Sequence, residues 1–212
     1  MRYVDLNSGQ FRPRTGHPRF RTILLDMDGP LAAFDHRFWD LVRELGIRSS
    51  VQPYPEHQTA RYSTDHIPSR SERRHMRSLV DGPGWFTSLE PTAGAVAGVQ
   101  QLLSAADDAG VFVAVCSKPL VSSPTCLSEK VEWLTTYFPD LVATANFTPD
   151  KSLVVADTLL DDAILVEQAR AAFWRPVVFP TTWNQLEPYP TFDWPTWSWG
   201  DPLSQLHPML AD

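Results

Sequence analysis

Cysteine is scarce in this chain, with two in 212 residues, Cys116 and Cys126. Two cysteines cannot build a disulfide framework, and neither has the spacing or partners of a zinc site. Cys116 closes an apolar run, so it reads as a core thiol in a reducing, cytoplasmic setting. Long apolar runs are missing as well. None approaches the roughly 20 residues of a membrane-spanning helix. Positive charge is in short supply, with 18 Lys and Arg against 25 Asp and Glu and a formal net charge of −7. That balance argues against duplex nucleic acid, which needs a basic footprint. It leaves a small anionic ligand open, because the field of a bound metal overrides the global charge. No two histidines have the spacing of a metal-binding helix. His36, His57, His66 and His75 scatter through one region and read as surface, and His17 and His207 lie near the ends. Repeats and low-complexity segments are absent. Residues 1–20 carry Arg2, Arg12, Arg14 and Arg19 but no apolar core. They read as a loosely ordered tail, not a secretory signal.

What is present is an acidic pair at the end of an apolar run. Thr22 to Leu25 leads into Asp26-Met27-Asp28-Gly29. The pattern reads as a buried strand ending at a tight turn. Alternate strand side chains face opposite ways, so Asp26 and Asp28 converge only if the chain turns sharply, which Gly29 allows. Two such carboxylates suit a hard cation such as Mg²⁺. One of them can attack phosphorus. An EF-hand loop is excluded, because Pro30, Leu31, Ala32 and Ala33 supply no further carboxylate.

Three further signals stand beside apolar runs. Val111 to Cys116 ends in Ser117-Lys118-Pro119, Asp150-Lys151 precedes Leu153 to Ala156, and Leu159-Leu160 leads into Asp161-Asp162. Helical spacing predicts helices over 31–45, 69–80, 91–109, 127–138 and 166–173, with Ser69 to Glu72 as a capping box. The alternation predicts an α/β fold whose apolar runs form a parallel sheet, with 174–179 as a further strand. The Pro- and Trp-rich tail from Pro180, with Trp183, Trp194, Trp197 and Trp199, reads as an irregular wrap over the core. In such sheets the loops at the strands' carboxyl ends line the ligand crevice.

With these motifs in hand, the chain resembles the haloacid dehalogenase-like phosphatases, and within them the 5'(3')-deoxyribonucleotidase family. The resemblance rests on 24–34, 83–91, 115–120, 128–134, 150–162 and the Trp-Ser-Trp at 197–199. It implies a Rossmann-like parallel sheet flanked by helices, with a small helical cap inserted after the first strand. The core would comprise 21–33 and 87–212, and the cap 34–86. In that family the cap closes over a nucleotide and grips the base with an aromatic cluster. Here the corresponding stretch, Gln58 to Tyr62, is polar apart from Tyr62, and Phe34, Trp85 and Phe86 are the candidate stacking wall.

The residues allow one mechanism. Asp26 attacks phosphorus and forms an aspartyl-phosphate. Asp28 protonates the leaving oxygen and then deprotonates the hydrolytic water. That role asks for partial desolvation or neighbouring carboxylates around Asp28. Mg²⁺ is held by Asp26, the Asp28 carbonyl and Asp162, with Asp161 beside the ligand set. Ser117 and a backbone amide near Lys118 hold phosphate oxygens, and Lys151 neutralises charge. The expected substrate is a small phosphate monoester, a deoxyribonucleoside monophosphate, with no duplex nucleic acid and no membrane partner. Homodimerisation stays open. Rival readings are a same-fold phosphatase for another small ester or a polynucleotide end, and a non-catalytic phosphate-binding protein. Each signal also has a plainer rival. Ser117 would cap a helix, Lys151 would be a surface lysine, Asp161-Asp162 would cap the next helix, and Arg70, Arg73, Arg74 and Arg77 would form a solvated face.

Overall fold

The computed structural model describes residues 2–4, 11–13, 21–50, 63–181, 184 and 194–210. Strands β1 (Arg2–Val4) and β2 (Phe11–Pro13) pair antiparallel. The main sheet holds β3 (Arg21–Leu25), β4 (Val111–Ser117), β5 (Asn146–Phe147), β6 (Thr158–Asp161) and β7 (Arg175–Val178), in the spatial order β5-β4-β3-β6-β7. Every pairing in it is parallel. The short apolar run at 22–25 therefore becomes the central strand, buried on both faces as parallel strands are.

Strand alternation splits the core in two. Ile23, Leu25, Val111, Val113, Val115, Leu160 and Val177 pack into the larger cluster. Two helices cover that face. From α3 (Ala95–Ala109) come Val99, Leu102 and Ala106; from α4 (Cys126–Tyr137) come Cys126, Trp133 and Leu134. Gly110, at φ +62, ends α3, as its position after the last periodic residue predicts. On the other face Leu24, Ala114, Cys116 and Leu159 meet Ala156, Ile164 and Trp174.

Between β3 and α3 the chain forms α1 (Phe34–Glu44), a 3₁₀ turn at Thr64–His66, α2 (Arg70–Val80) and a second 3₁₀ turn at Phe86–Ser88. The Ser69 hydroxyl accepts the Glu72 N–H at 3.4 Å, so the capping box does open α2. Phe38, Trp39, Val42, Ile67, Met76 and Val80 from this segment join the larger core cluster. α1 starts at Phe34 rather than Leu31 because the residues before it close the turn after β3. The Leu31 and Ala32 amides both donate to the Met27 carbonyl. Likewise α3 starts at Ala95, because Thr92 is tied to the same turn. Its N–H reaches Leu31 O and its hydroxyl reaches Gly29 O at 2.6 Å.

The run Leu153 to Ala156 is not part of a strand. Asp157 exchanges two bonds with Thr22: its N–H donates to the Thr22 carbonyl, and its carboxylate accepts the Thr22 N–H at 2.7 Å. This anchor starts β6 at Thr158 and leaves Leu153 and Val155 exposed. The short elements α5 (Pro139–Val142) and β5 have no counterpart in the sequence reading, being too short for a period to show. Helix α6 (Val166–Ala171) is shorter than its apolar pattern. α7 (Leu203–Leu206) is a single turn near the end.

The described part of the tail, 194–210, packs on the core. Trp197 is buried, and its indole N–H donates to Pro202 O at 3.0 Å. Trp199 lies against Gly98 of α3, where a Cβ would come within 2.3 Å of the indole, and its N–H donates to Pro30 O at 2.7 Å. The tail thus braces the turn that carries the acidic motif. Trp183 lies outside the described residues.

Candidate active site

The carboxyl ends of β3, β4 and β6 gather Asp26, Asp28, Ser117, Lys118, Asp161 and Asp162, with Lys151 reaching in beside them. β3 continues to β4 on one side, while β6 continues to β7 on the other. The crevice between β3 and β6 is therefore the point where connections diverge, the usual ligand position in an open parallel sheet. Asp26 follows β3 there, and Asp161-Asp162 close β6.

Asp26 is 7% exposed, and its Oδ1 accepts the Met27 N–H at 2.8 Å and lies 2.9 Å from Lys151 Nζ. Burial pushes its carboxyl up to about 7. Lys151 opposes that rise, while Asp161 and Asp28 add to it. Lys151 is buried, not a surface lysine. Its ammonium also donates to Asp161 Oδ2 at 2.7 Å. Burial works against its charge, but Asp161 and Asp26 more than offset this, so its pKa is raised. The other oxygen of Asp161 accepts the Ala163 N–H at 2.8 Å. Both Asp161 oxygens are thus engaged by protein, as suits a residue beside a ligand set. Asp161 and Asp162 do not cap the following helix, whose N-cap is Leu165 with no side-chain bond.

Asp162 is buried, and its pKa is raised well above the usual carboxylate value by burial and by Asp161, Asp35 and Asp26. Gly29, at φ +97, makes room for its carboxylate. Asp26, Asp161 and Asp162 offer oxygens that all lie within 4.8 Å of one another. Three crowded buried carboxylates against a single close lysine leave excess negative charge. All their donor atoms are oxygen, the choice of a hard cation. The cluster fits Mg²⁺ on these grounds.

Asp28 points to a different partner from the one its expected role suggested. Its Oδ2 lies 2.6 Å from Lys130 Nζ, while its Oδ1 is buried with no partner among the described residues. Lys130 is fully buried. It also donates to Ser117 Oγ at 2.8 Å and approaches the Lys118 carbonyl at 3.4 Å. Ser117 ends β4, completely buried, and caps no helix. Its hydroxyl and Lys130 form a cationic edge opposite Asp26. Sequence reasoning assigned Lys130 no role. The signal was present: Cys126, Lys130, Trp133 and Leu134 share one helical stripe, so a lysine occupies an apolar face.

A cavity of about 320 Å³ opens over these groups, lined by Asp26, Asp28, Phe34, Phe86, Lys118 and Asp162 among others. Pro119 and Leu120 add apolar wall. Phe34 packs at 6.0 Å from Phe86 and edge-on at 5.5 Å from Trp85. Phe34 and Phe86 line the cavity. Trp85 is buried behind Phe34 and does not line it. Tyr62 and the stretch from Gln58 lie outside the described residues. Arg73 and Arg77 of the basic face bond to Ile67 O and Thr64 Oγ1.

A parallel α/β sheet with Asp-x-Asp after its central strand, buried lysines beside it and a second acidic pair on the neighbouring strand is the arrangement that the resemblance to the haloacid dehalogenase-like phosphatases implies. The family model described as "5' nucleotidase, deoxy (Pyrimidine), cytosolic type C protein" matches residues 20–185. The chain is 29% identical to the Homo sapiens 5'(3')-deoxyribonucleotidase of cytosolic type over 185 residues, covering 84% of this chain and 89% of that one. It is 32% identical to the Homo sapiens mitochondrial 5'(3')-deoxyribonucleotidase over 171 residues, covering 77% of this chain and 72% of the other. The chain belongs to the 5'(3')-deoxyribonucleotidase family and is an enzyme. No helix of the described residues is long and apolar enough to cross a membrane.

Proposed function

We propose that this enzyme is a Mg²⁺-dependent phosphomonoesterase that dephosphorylates deoxyribonucleoside monophosphates through an aspartyl-phosphate. The observation that carries the reading is the convergence of Asp26, Asp28, Ser117, Lys130, Lys151 and Asp162 at the carboxyl ends of three strands. Phosphate monoesters hydrolyse very slowly unaided, so both a nucleophile and charge neutralisation are required. The site has both.

Both contacts of Asp26 fall on Oδ1, which leaves Oδ2 for attack. Oδ2 bonds to phosphorus as the ester P–O bond breaks, and Asp28 gives its proton to the leaving oxygen. Water then attacks phosphorus, the P–O bond to Asp26 breaks, and Asp28 takes the water's proton. Lys130 exchanges its contact with Asp28 for a phosphate oxygen, assisted by Ser117 and an amide at Lys118. Lys151 holds the orientation of Asp26. Asp26, the Asp28 carbonyl and Asp162 would hold Mg²⁺, which would supply further charge neutralisation.

The segment 34–86 acts as the cap. Phe34 and Phe86, with Pro119 and Leu120, form an apolar wall for the sugar and base. A 2'-hydroxyl buried against such a wall without a partner costs roughly 1–3 kcal/mol, which favours deoxyribonucleotides. The two human relatives bear the corresponding name. The deciding experiment is phosphate release with Mg²⁺ from dUMP, dTMP, UMP and a simple sugar phosphate. Highest kcat/KM on the deoxynucleotides supports the reading. Preference for the sugar phosphate would leave only the phosphatase chemistry. We assign the protein to the cytoplasm, a reducing compartment that suits its two buried free cysteines.

A further inference from the structure

Glu129 sits one residue before Lys130 on α4 and is only 7% exposed. Buried carboxylates need partners, and this one has two backbone donors from a distant segment. Its Oε1 accepts the Gly84 N–H at 2.7 Å, and its Oε2 accepts the Phe86 N–H at 2.9 Å. The local backbone explains the fit. Gly84, at φ +88, is followed by Trp85 in the right-handed helical region, at φ −63 and ψ −56. A left-handed residue followed by a right-handed one turns successive N–H groups toward one point and forms an anion-binding nest. The anion in this nest is the protein's own. Burial acts to raise the Glu129 pKa, but Thr125 and the backbone at Gly84, Phe86 and Thr87 together outweigh it, so the pKa is lowered.

The nest carries Phe86, whose ring lines the substrate cavity and lies 5.0 Å from Lys130 Nζ. The same helix thus aims Lys130 at the phosphate subsite and clamps, through Glu129, the wall facing the leaving group. A second contact ties the same region to the loop after β4: Ser122 Oγ donates to Asp81 Oδ1 at 2.8 Å. The geometry points to Glu129 as a positioning residue for substrate selection. It fixes the Phe86 wall against the leaving group, and takes no part in the chemistry at phosphorus. This inference rests on the phosphatase reading, and deepens it by naming what orders the leaving-group subsite.

The test compares wild type, Glu129→Ala and Glu129→Gln on dTMP and on acetyl phosphate, whose two-carbon leaving group is too small to need the Phe86 wall. An ordered aromatic wall contributes about 0.5–1.5 kcal/mol, so Glu129→Ala should raise KM for dTMP up to about tenfold. Its kcat on dTMP and both constants for acetyl phosphate should stay within about threefold of wild type. Hydrogen exchange should show the Gly84 and Phe86 amides losing protection. Glu129→Gln, which keeps the volume and one acceptor, should show the same pattern at smaller size, and it decides the matter if the alanine variant does not fold. Equal losses on both substrates would reduce Glu129 to a general structural role and overturn the proposal. Unchanged KM with protected amides would overturn it as well. If wild type cleaves acetyl phosphate but no deoxynucleotide, the substrate reading fails, while exchange at Gly84 and Phe86 still decides the clamp.

Discussion

Gly29 and Asp162 occupy one space. A Cβ on Gly29 would lie 2.5 Å from Asp162 Cγ and 2.8 Å from each carboxylate oxygen. The glycine is required twice, since its φ of +97 is also closed to ordinary side chains. Gly29→Ala should therefore push the Asp162 carboxylate away from Asp26. A misplacement of about 1 Å in a catalytic constellation costs on the order of 10²-fold in rate. We expect at least that loss in kcat/KM, with weakened Mg²⁺ activation and a folded protein by circular dichroism. Activity near wild type would show that Asp162 need not sit where it does.

Proton affinity and metal affinity are opposed in the acidic cluster. Burial raises Asp26 to about 7 and raises Asp162 as well. An acid whose folded pKa exceeds its unfolded value binds more protons when native, so its contribution to stability falls as pH rises between the two values. For Asp26 that window runs from the ordinary 3.8 to about 7. Mg²⁺ competes with those protons, so its stabilising effect should grow with pH across the same window. Thermal melts with EDTA and with Mg²⁺ at several pH values would measure the difference. A Mg²⁺-dependent shift in Tm that is flat from pH 5 to 8 would contradict the assignment of these carboxylates.

Lys130 is the buried cation that touches both Asp28 and Ser117. Lys130→Met keeps most of the stem and removes the charge. Loss of one preorganised donor to developing phosphoryl charge costs about 10²–10³ in kcat. We expect that fall with the fold retained, read by phosphate release beside circular dichroism. A rate within a few-fold of wild type would remove Lys130 from the phosphate subsite.

How far the sequence alone reveals this molecule varies with the range of the signal. The five-residue strand before Asp26, the helix ended by Gly110 and the capped helix at Ser69 depend on local patterns, and each forms, although the second starts at Ala95 rather than Pro91. The run at 153–156 misled, because a single tertiary anchor, Asp157 to Thr22, moves the strand start past it. Lys151 and Lys130 illustrate the same divide. A lysine's burial is set by what folds over it, and no local pattern separates Lys151 from a surface lysine. Lys130 did carry a local mark, its place on the apolar stripe of α4. Trp85 and Phe86 show the same divide: they are adjacent in sequence, yet Phe86 lines the cavity and Trp85 does not.

The final prediction separates the two aspartates of the central motif. Asp26 and Asp28 are two residues apart, yet their surroundings differ. Asp26 is gripped on one oxygen by Lys151 and the Met27 amide, while Asp28 faces Lys130 and its buried Oδ1 has no partner among the described residues. Asp26→Asn replaces the attacking oxygen with an amide that cannot form the phosphoryl bond, so turnover should vanish for every substrate. Asp28→Asn removes only proton transfer and should cost roughly 10²–10⁴. The second loss should depend on the leaving group. An ester of p-nitrophenol, whose oxygen leaves without a proton, should suffer less than dTMP in the first step. Burst-phase measurements with p-nitrophenyl phosphate should then show release of p-nitrophenol outpacing hydrolysis of the phosphorylated enzyme in Asp28→Asn. No burst can occur in Asp26→Asn, because nothing accepts the phosphoryl group. Residual steady turnover in a clean preparation of Asp26→Asn would exclude it as the nucleophile, and equal losses in the first step for both leaving groups would exclude Asp28 as the acid.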